Sequence, residues 1–194
     1  MTQEEMIKAS SDPEFLKYLE VREKEVLSSK DIAGLYEVLD MLLILDLQED
    51  RINKVYETIL MVAFDNIELK LKNHTKLTIQ GDDLYYIRAF YEHSIEKWSR
   101  DDFKGAKELF FVLTQIVEDE LLLNAITIKM LACDIQEDMD KFYDEKIEHQ
   151  QIARDEKYGY FLLDFKFDVK KYLDENSNRL KEIYEELKPL LGVK

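Results

Sequence analysis

One pattern of residues stands twice in this chain, 71 positions apart (102 − 31). Asp31-Ile32-Ala33-Gly34-Leu35-Tyr36-Glu37-Val38-Leu39 matches Asp102-Phe103-Lys104-Gly105-Ala106-Lys107-Glu108-Leu109-Phe110, and Leu42 lies over Leu113. Upstream at the same offset, Phe15-Leu16-Lys17 lies over Tyr86-Ile87-Arg88 and Leu19 over Phe90. Downstream, Ile52, Val55, Ile59 and Leu60 lie over Leu123, Ile126, Met130 and Leu131. Three helices kept in one register mark a unit that cannot bury its apolar stripe alone and is covered by a stacked copy. The expected units are 13–75 and 83–155. A partial third is expected at 157–190, within which Lys107-Glu108-Leu109-Phe110 returns as Lys181-Glu182-Ile183-Tyr184, an offset of 74 (181 − 107). Together they predict a single all-α domain over 1–194, of stacked antiparallel helical hairpins in a short solenoid or irregular bundle.

The turns agree with this. The chain has 5 glycines and 2 prolines, too few for the hairpin and βα connections of a sheet protein. Ser11-Asp12-Pro13-Glu14 is a helix start, with a capping side chain, a proline in the first turn and an acid at the positive helix end. Apolar residues then recur at helical spacing over about 13–27, 31–46 and 50–72. Lys76-Leu77-Thr78-Ile79-Gln80-Gly81 reads as an ordered linker, the one place where a short strand is arguable. Further helices are expected at about 82–99, 102–118, 120–135, 137–155, 158–173 and 177–190.

The formal net charge of −15 argues against free nucleic acid and anionic membranes as partners, because phosphate contact needs clustered Lys and Arg. A basic protein partner, or one offering an apolar helix face, is compatible with it. The single cysteine, Cys133, excludes an internal disulfide and sits in the apolar run Met130-Leu131-Ala132-Cys133. The longest apolar run, Met41-Leu42-Leu43-Ile44-Leu45, is too short to span a bilayer, and the first residues have no targeting pattern. The expected compartment is the cytoplasm.

No catalytic constellation emerges. The residues three before His74, His93 and His149 are Leu71, Phe90 and Lys146, so the Glu-x-x-His pairs of a di-iron bundle are missing. Glu145 and His149 would share a helix face. Asp134, Glu137, Asp138 and Asp140 cluster at a helix junction without the glycine and spacing of a calcium loop, and capping explains them more simply. There is no dinucleotide fingerprint, Walker loop or nucleophile elbow. No cofactor and no metal are expected.

Aromatic residues crowd three predicted helices. Tyr85, Tyr86, Phe90, Tyr91 and Trp98 share one, with Phe103, Phe110 and Phe111 on the next. Tyr158, Tyr160, Phe161, Phe165 and Phe167 share another. Core packing accounts for most of them. Tyr85 and Tyr91 fall off the Tyr86–Phe90 stripe and are expected at the surface. Tyr85, Tyr91, Trp98, Phe111 and Tyr160 are the candidate partner-binding residues, since Tyr and Trp are favoured anchors at interfaces. The stretch from Tyr158 has two further readings, a dimer contact or a cover over the groove of its own chain.

Over 83–117 the chain resembles a tetratricopeptide repeat. Phe103, Ala106 and Phe110 fill that family's turn aromatic, small residue and following aromatic, and Ser94 stands for the small residue of the first helix. Leu113 and Glu118 depart from the pattern, as do Glu23 and Leu35 in the first copy. By size, charge and hairpin pattern alone, the chain is more loosely similar to chaperones of type III secretion translocators. The resemblance implies a concave surface that holds a peptide or amphipathic helix of another protein. The expected function is therefore a non-catalytic protein-binding module, adaptor or chaperone-like. A structural homodimer is the first alternative, and a metal-dependent helical enzyme using Asp138, Glu145 and His149 is the second.

Overall fold

The computed structural model describes residues 12–150 and 154–191. Expectations that fall on 1–11, 151–153 and 192–194 lie outside the described residues. The described chain is all-helical, with nine α-helices: α1 Pro13–Ser29, α2 Ile32–Ile44, α3 Glu49–Lys72, α4 Gly81–Ser99, α5 Phe103–Ile116, α6 Glu120–Asp134, α7 Met139–Lys146, α8 Val169–Glu175 and α9 Ser177–Leu187. Short 3-10 turns stand at Glu156–Tyr158 and Lys188–Leu191. No described helix is long and apolar enough to cross a membrane. The chain divides into two compact units, Met1–Ile67 and Glu68–Lys194, with the boundary inside α3.

In the first unit, α1 starts on the side chain of Asp12, which accepts from the backbone N–H of Glu14 and Phe15. It ends on Lys30, whose left-handed backbone turns the chain directly into α2. Leu19 and Val26 of α1 are buried, as are Leu35, Val38 and Leu42 of α2 and Val55 and Ile59 of α3. Glu23 is buried with them and accepts two bonds from Arg51 at the start of α3, at 2.9 and 2.6 Å.

In the second unit, α4 and α5 pack closely, as do α5 and α6, and α7, α8 and α9 lie on this three-helix layer. The linker after α3 is ordered, as expected. Leu77 and Ile79 are buried, and Leu77 makes a single parallel bridge to Val117.

The 71-residue offset holds in three dimensions. The starts of α2 and α5 differ by 71 (103 − 32), and so do those of α3 and α6 (120 − 49). Lys30 and Asp101, the same position in each copy, both have left-handed backbones. Gly34 and Gly105 correspond as well, and a Cβ at either would meet the carboxylate of the aspartate three residues before it. At 177–187 the partial third copy shares the start of its helix with α5, at offset 74 (177 − 103).

Two expected helices are much shorter than the apolar spacing suggested. The one expected over 137–155 ends at Lys146, so Glu145 and His149 share no helix face; His149 stacks on Tyr143 instead, with centroids 4.9 Å apart. The one expected over 158–173 is helical only from Val169. Between Arg154 and Asp168 the chain is a non-helical strap apart from the short 3-10 turn at Glu156–Tyr158, and it runs free of turns and bends over 162–165. Alternation explains it: Phe161, Leu163, Phe165 and Phe167 stand at every second position, with Asp164, Lys166 and Asp168 between or after them. A period of two suits an extended segment with one face on the protein, not a helix.

Candidate functional site

The strap and the helices beneath it bring the aromatic residues together. The backbone N–H of Leu162 donates to Tyr91 Oη on α4 at 3.2 Å, and its carbonyl accepts from Lys129 Nζ on α6 at 2.7 Å. The strap then pairs with the chain after α7. Ile147 and Phe165 form an antiparallel bridge, with Glu148 N donating to Asp164 O at 3.0 Å and Lys166 N donating to Lys146 O at 2.9 Å. At its start, Tyr158 Oη donates to Asp119, the cap of α6, and Arg154 makes a two-pronged ion pair with Asp164. Buried Phe161 stands edge-on to Tyr91, with centroids 5.1 Å apart.

This arrangement corrects the expected surface. Tyr91 is only 3% exposed, because the strap lies on it, and burial raises its pKa above the ordinary phenol range. Trp98 is 1% exposed, packed edge-on against Phe142 and Phe110, and its indole N–H donates to the carbonyl of Glu137 at 2.8 Å. Phe111 is 1% exposed and lies against Tyr184 of α9. These three are core residues in this conformation, since segments downstream of α6 cover the face they occupy. Tyr85 is half-buried. Tyr160, 38% exposed, remains at the surface under the guanidinium of Arg88, 4.3 Å from its ring centroid.

Three of the four acidic residues at the α6–α7 junction, Asp134, Glu137 and Asp138, have polar partners. Asp134 takes Lys107 at 3.1 Å and Arg179 of α9, while Glu137 takes Lys146 at 2.7 Å. The Asp138 side chain caps α7 by accepting from Lys141 N. Among the described residues no three His, Cys, Asp or Glu side chains converge as metal ligands. Lys107 also reaches Glu186 of α9 at 2.9 Å. Burial pulls its pKa down, but Glu186 and Asp134 together outweigh that, and it ends above the ordinary lysine value.

Lys129 behaves in the opposite way. It is fully buried, and Nζ donates to two backbone carbonyls, Leu162 O at 2.7 Å and Ala125 O at 3.3 Å, with no carboxylate among its described partners. The rings of Phe165 and Tyr91 flank it at 5.1 and 5.6 Å. Burial lowers its pKa to about 7, because the charged amine loses its hydration and gains no counter-ion. Beside it lies a cavity of ≈ 280 Å³ lined by Ile95, Trp98, Lys129, Met139, Asp140, Phe142, Tyr143 and Leu162. Cys133, one turn on, is buried, and its thiol is pushed well above the ordinary value, so it is no ready nucleophile.

The sequence reading passed over Lys129 and gave the strap as a helix, with a cover over the groove of its own chain among its alternatives. Each had a signal. Lys129 is a lone charge on the stripe formed by Leu122, Ile126 and Cys133, and the strap shows the every-second-residue pattern from Phe161 to Phe167. No protein-family model matches the chain, and no curated protein or solved structure matches it either.

Proposed function

We propose that this chain is a non-catalytic, cytoplasmic protein-binding module, adaptor or chaperone-like, that holds a peptide or helix of a partner protein on its aromatic helical face. The observation that carries this reading is the strap itself. The face formed by α4, α6 and α7 already grips an aromatic segment, through the main-chain groups of Leu162 and a bridge at Phe165, with the alternate side chains Phe161 and Leu163 buried. Extended peptides are recognised in this way on protein surfaces generally. The tetratricopeptide-like α4–α5 hairpin supports the same reading, because its small residues Ser94 and Ala106 are both fully buried. A partner segment would carry aromatic or aliphatic residues at every second position. Basic residues between them would suit a chain of net charge −15.

A peptide titration tests this. In a Phe161→Ser/Leu163→Ser variant the strap loses its two buried anchors and the face opens. A labelled peptide of sequence 158–168 with lysine at 164 and 168 then binds, detected by fluorescence anisotropy. It binds more weakly with the native aspartates and more weakly as salt rises. An open, folded variant that ignores both peptides overturns the reading. The homodimer has its own support, the exposed Tyr18, Val21, Leu43, Ile44 and Met61 of the first unit. A dimer in sedimentation velocity that Leu43→Asp splits would favour that account instead.

A further inference from the structure

We propose that Lys129 is a carbonyl-capturing amine, and that the cavity beside it admits a small apolar aldehyde or ketone that condenses with Nζ to an imine. A neutral primary amine has two N–H bonds and one lone pair. Here both N–H groups have acceptors, Leu162 O at 2.7 Å and Ala125 O at 3.3 Å. The lone pair has no donor among the described residues, and Lys129 lines a cavity of ≈ 280 Å³. That volume sits near the lower end of ligand sites and suits a molecule of a few heavy atoms.

The walls set the class of ligand. Ile95, Trp98, Phe142 and Leu162 are apolar, so an uncharged carbonyl compound enters at a far smaller desolvation cost than a charged one. Asp140 at the exposed edge and the overall charge of −15 disfavour a free carboxylate. Burial supplies the neutral nucleophile: with a pKa of about 7, about half the amine is unprotonated at neutral pH. The other titratable groups near it are the Cys133 thiol on its own helix, the Tyr91 phenol on α4, and Asp140 and Tyr143 on α7. The first two stay neutral because burial raises both.

The step balances without an oxidant or reductant. The nitrogen lone pair forms a bond to the carbonyl carbon, the oxygen gains two protons and leaves as water, and the amine loses both of its own hydrogens. Protonation of the imine returns one N–H, which keeps the bond to Leu162 O. The faces of Phe165 and Tyr91, at 5.1 and 5.6 Å, then stabilise the iminium charge. This is stoichiometric capture by a residue that also belongs to the peptide-holding face, since Lys129 Nζ donates to Leu162 O there.

The test uses the full chain with 3-methylbutanal in limiting amount and cyanoborohydride to fix the imine, followed by peptide mass mapping. At pH 7, Lys129 should be alkylated roughly tenfold or more faster than exposed Lys54 and Lys104. Its rate should level off above pH 7, while the exposed lysines continue to gain about tenfold per pH unit. A Met139→Trp variant, which fills the cavity, should slow labelling at Lys129 and leave Lys54 and Lys104 unchanged. Labelling confined to exposed lysines overturns the proposal. Equal labelling of Lys129 in the Met139→Trp protein also overturns it, because the reagent would then be reaching the amine through unfolding.

Discussion

The two copies of the helical unit share a register but not a fate for their outer faces. Tyr18 and Met61 of the first copy are 54% and 45% exposed, while the residues 71 positions on, Ala89 and Ala132, are fully buried. The second copy is followed by α7, the strap, α8 and α9, which pack on its helices. The difference extends inward. Glu23 of the first copy is buried on an ion pair with Arg51; the same two positions in the second copy hold Ser94 and Leu122, both buried. A shared register is thus finished once by a polar pair and once by small and apolar residues. The second copy also carries a buried lysine bonded to carbonyls, where the first has Thr58 bonded to its own helix. The repeat fixes where helices begin, and neighbours decide which faces become core.

The largest expected effect falls on the buried lysine that only the second copy has. The folded-state pKa of Lys129, about 7, lies below the ordinary 10.5. Between these values the unfolded chain holds a proton that the folded chain lacks, so stability rises as pH rises through that window. The slope approaches about 1.4 kcal/mol per pH unit. Lys129→Met should remove that slope in urea unfolding between about pH 7 and pH 9, below the range where tyrosines ionise. A variant that keeps the native slope would show that the lysine is charged in the folded state.

Next comes the polar pair of the first copy. Glu23→Ala leaves Arg51 partly buried without its acceptor and should cost about 2 kcal/mol, read from the urea midpoint. The double change Glu23→Ser/Arg51→Leu installs the second copy's residues and should recover most of that loss. If the double variant is no better than the single one, the two copies are not interchangeable at this position.

The smallest effect separates the two glycines. An alanine Cβ at Gly105 meets only the carboxylate of Asp102, whose oxygens are the three nearest-atom contacts together with its carbon. Gly105→Ala should therefore cost about 1 kcal/mol, the value of a disturbed helix cap. At Gly34 the added carbon also meets Val26 Cγ1 of α1 at 2.7 Å. Val26 is fully buried and cannot swing away, so Gly34→Ala should cost more, about 1–3 kcal/mol. Thermal melts of the two single variants give the order, and equal losses would mean that the α1–α2 contact yields as easily as a surface side chain.

Much of the helical layout was legible in the residues. Asp12, Asp102 and Asp119 mark helix starts by their side-chain caps, and the starts of α2, α3, α5 and α6 follow from the 71-residue offset. The candidate site was far less legible. Tyr91 and Trp98 read as surface anchors because a helical stripe says which side chains share a face, not what lies on that face. Residues 158–168 read as a helix because their aromatic density drew more weight than their spacing.

By itself, the sequence determined the all-helical class, the repeat and its register, because caps, glycine positions and apolar period act within a few residues of one another. Tertiary structure alone decided that the strap lies on Tyr91, that α9 covers Phe111 and that Lys129 is left with carbonyls instead of a carboxylate. Those outcomes depend on contacts between residues up to 73 positions apart (184 − 111). They are set by which buried surface and which hydrogen bonds the whole chain can satisfy at once, and no local pattern encodes that.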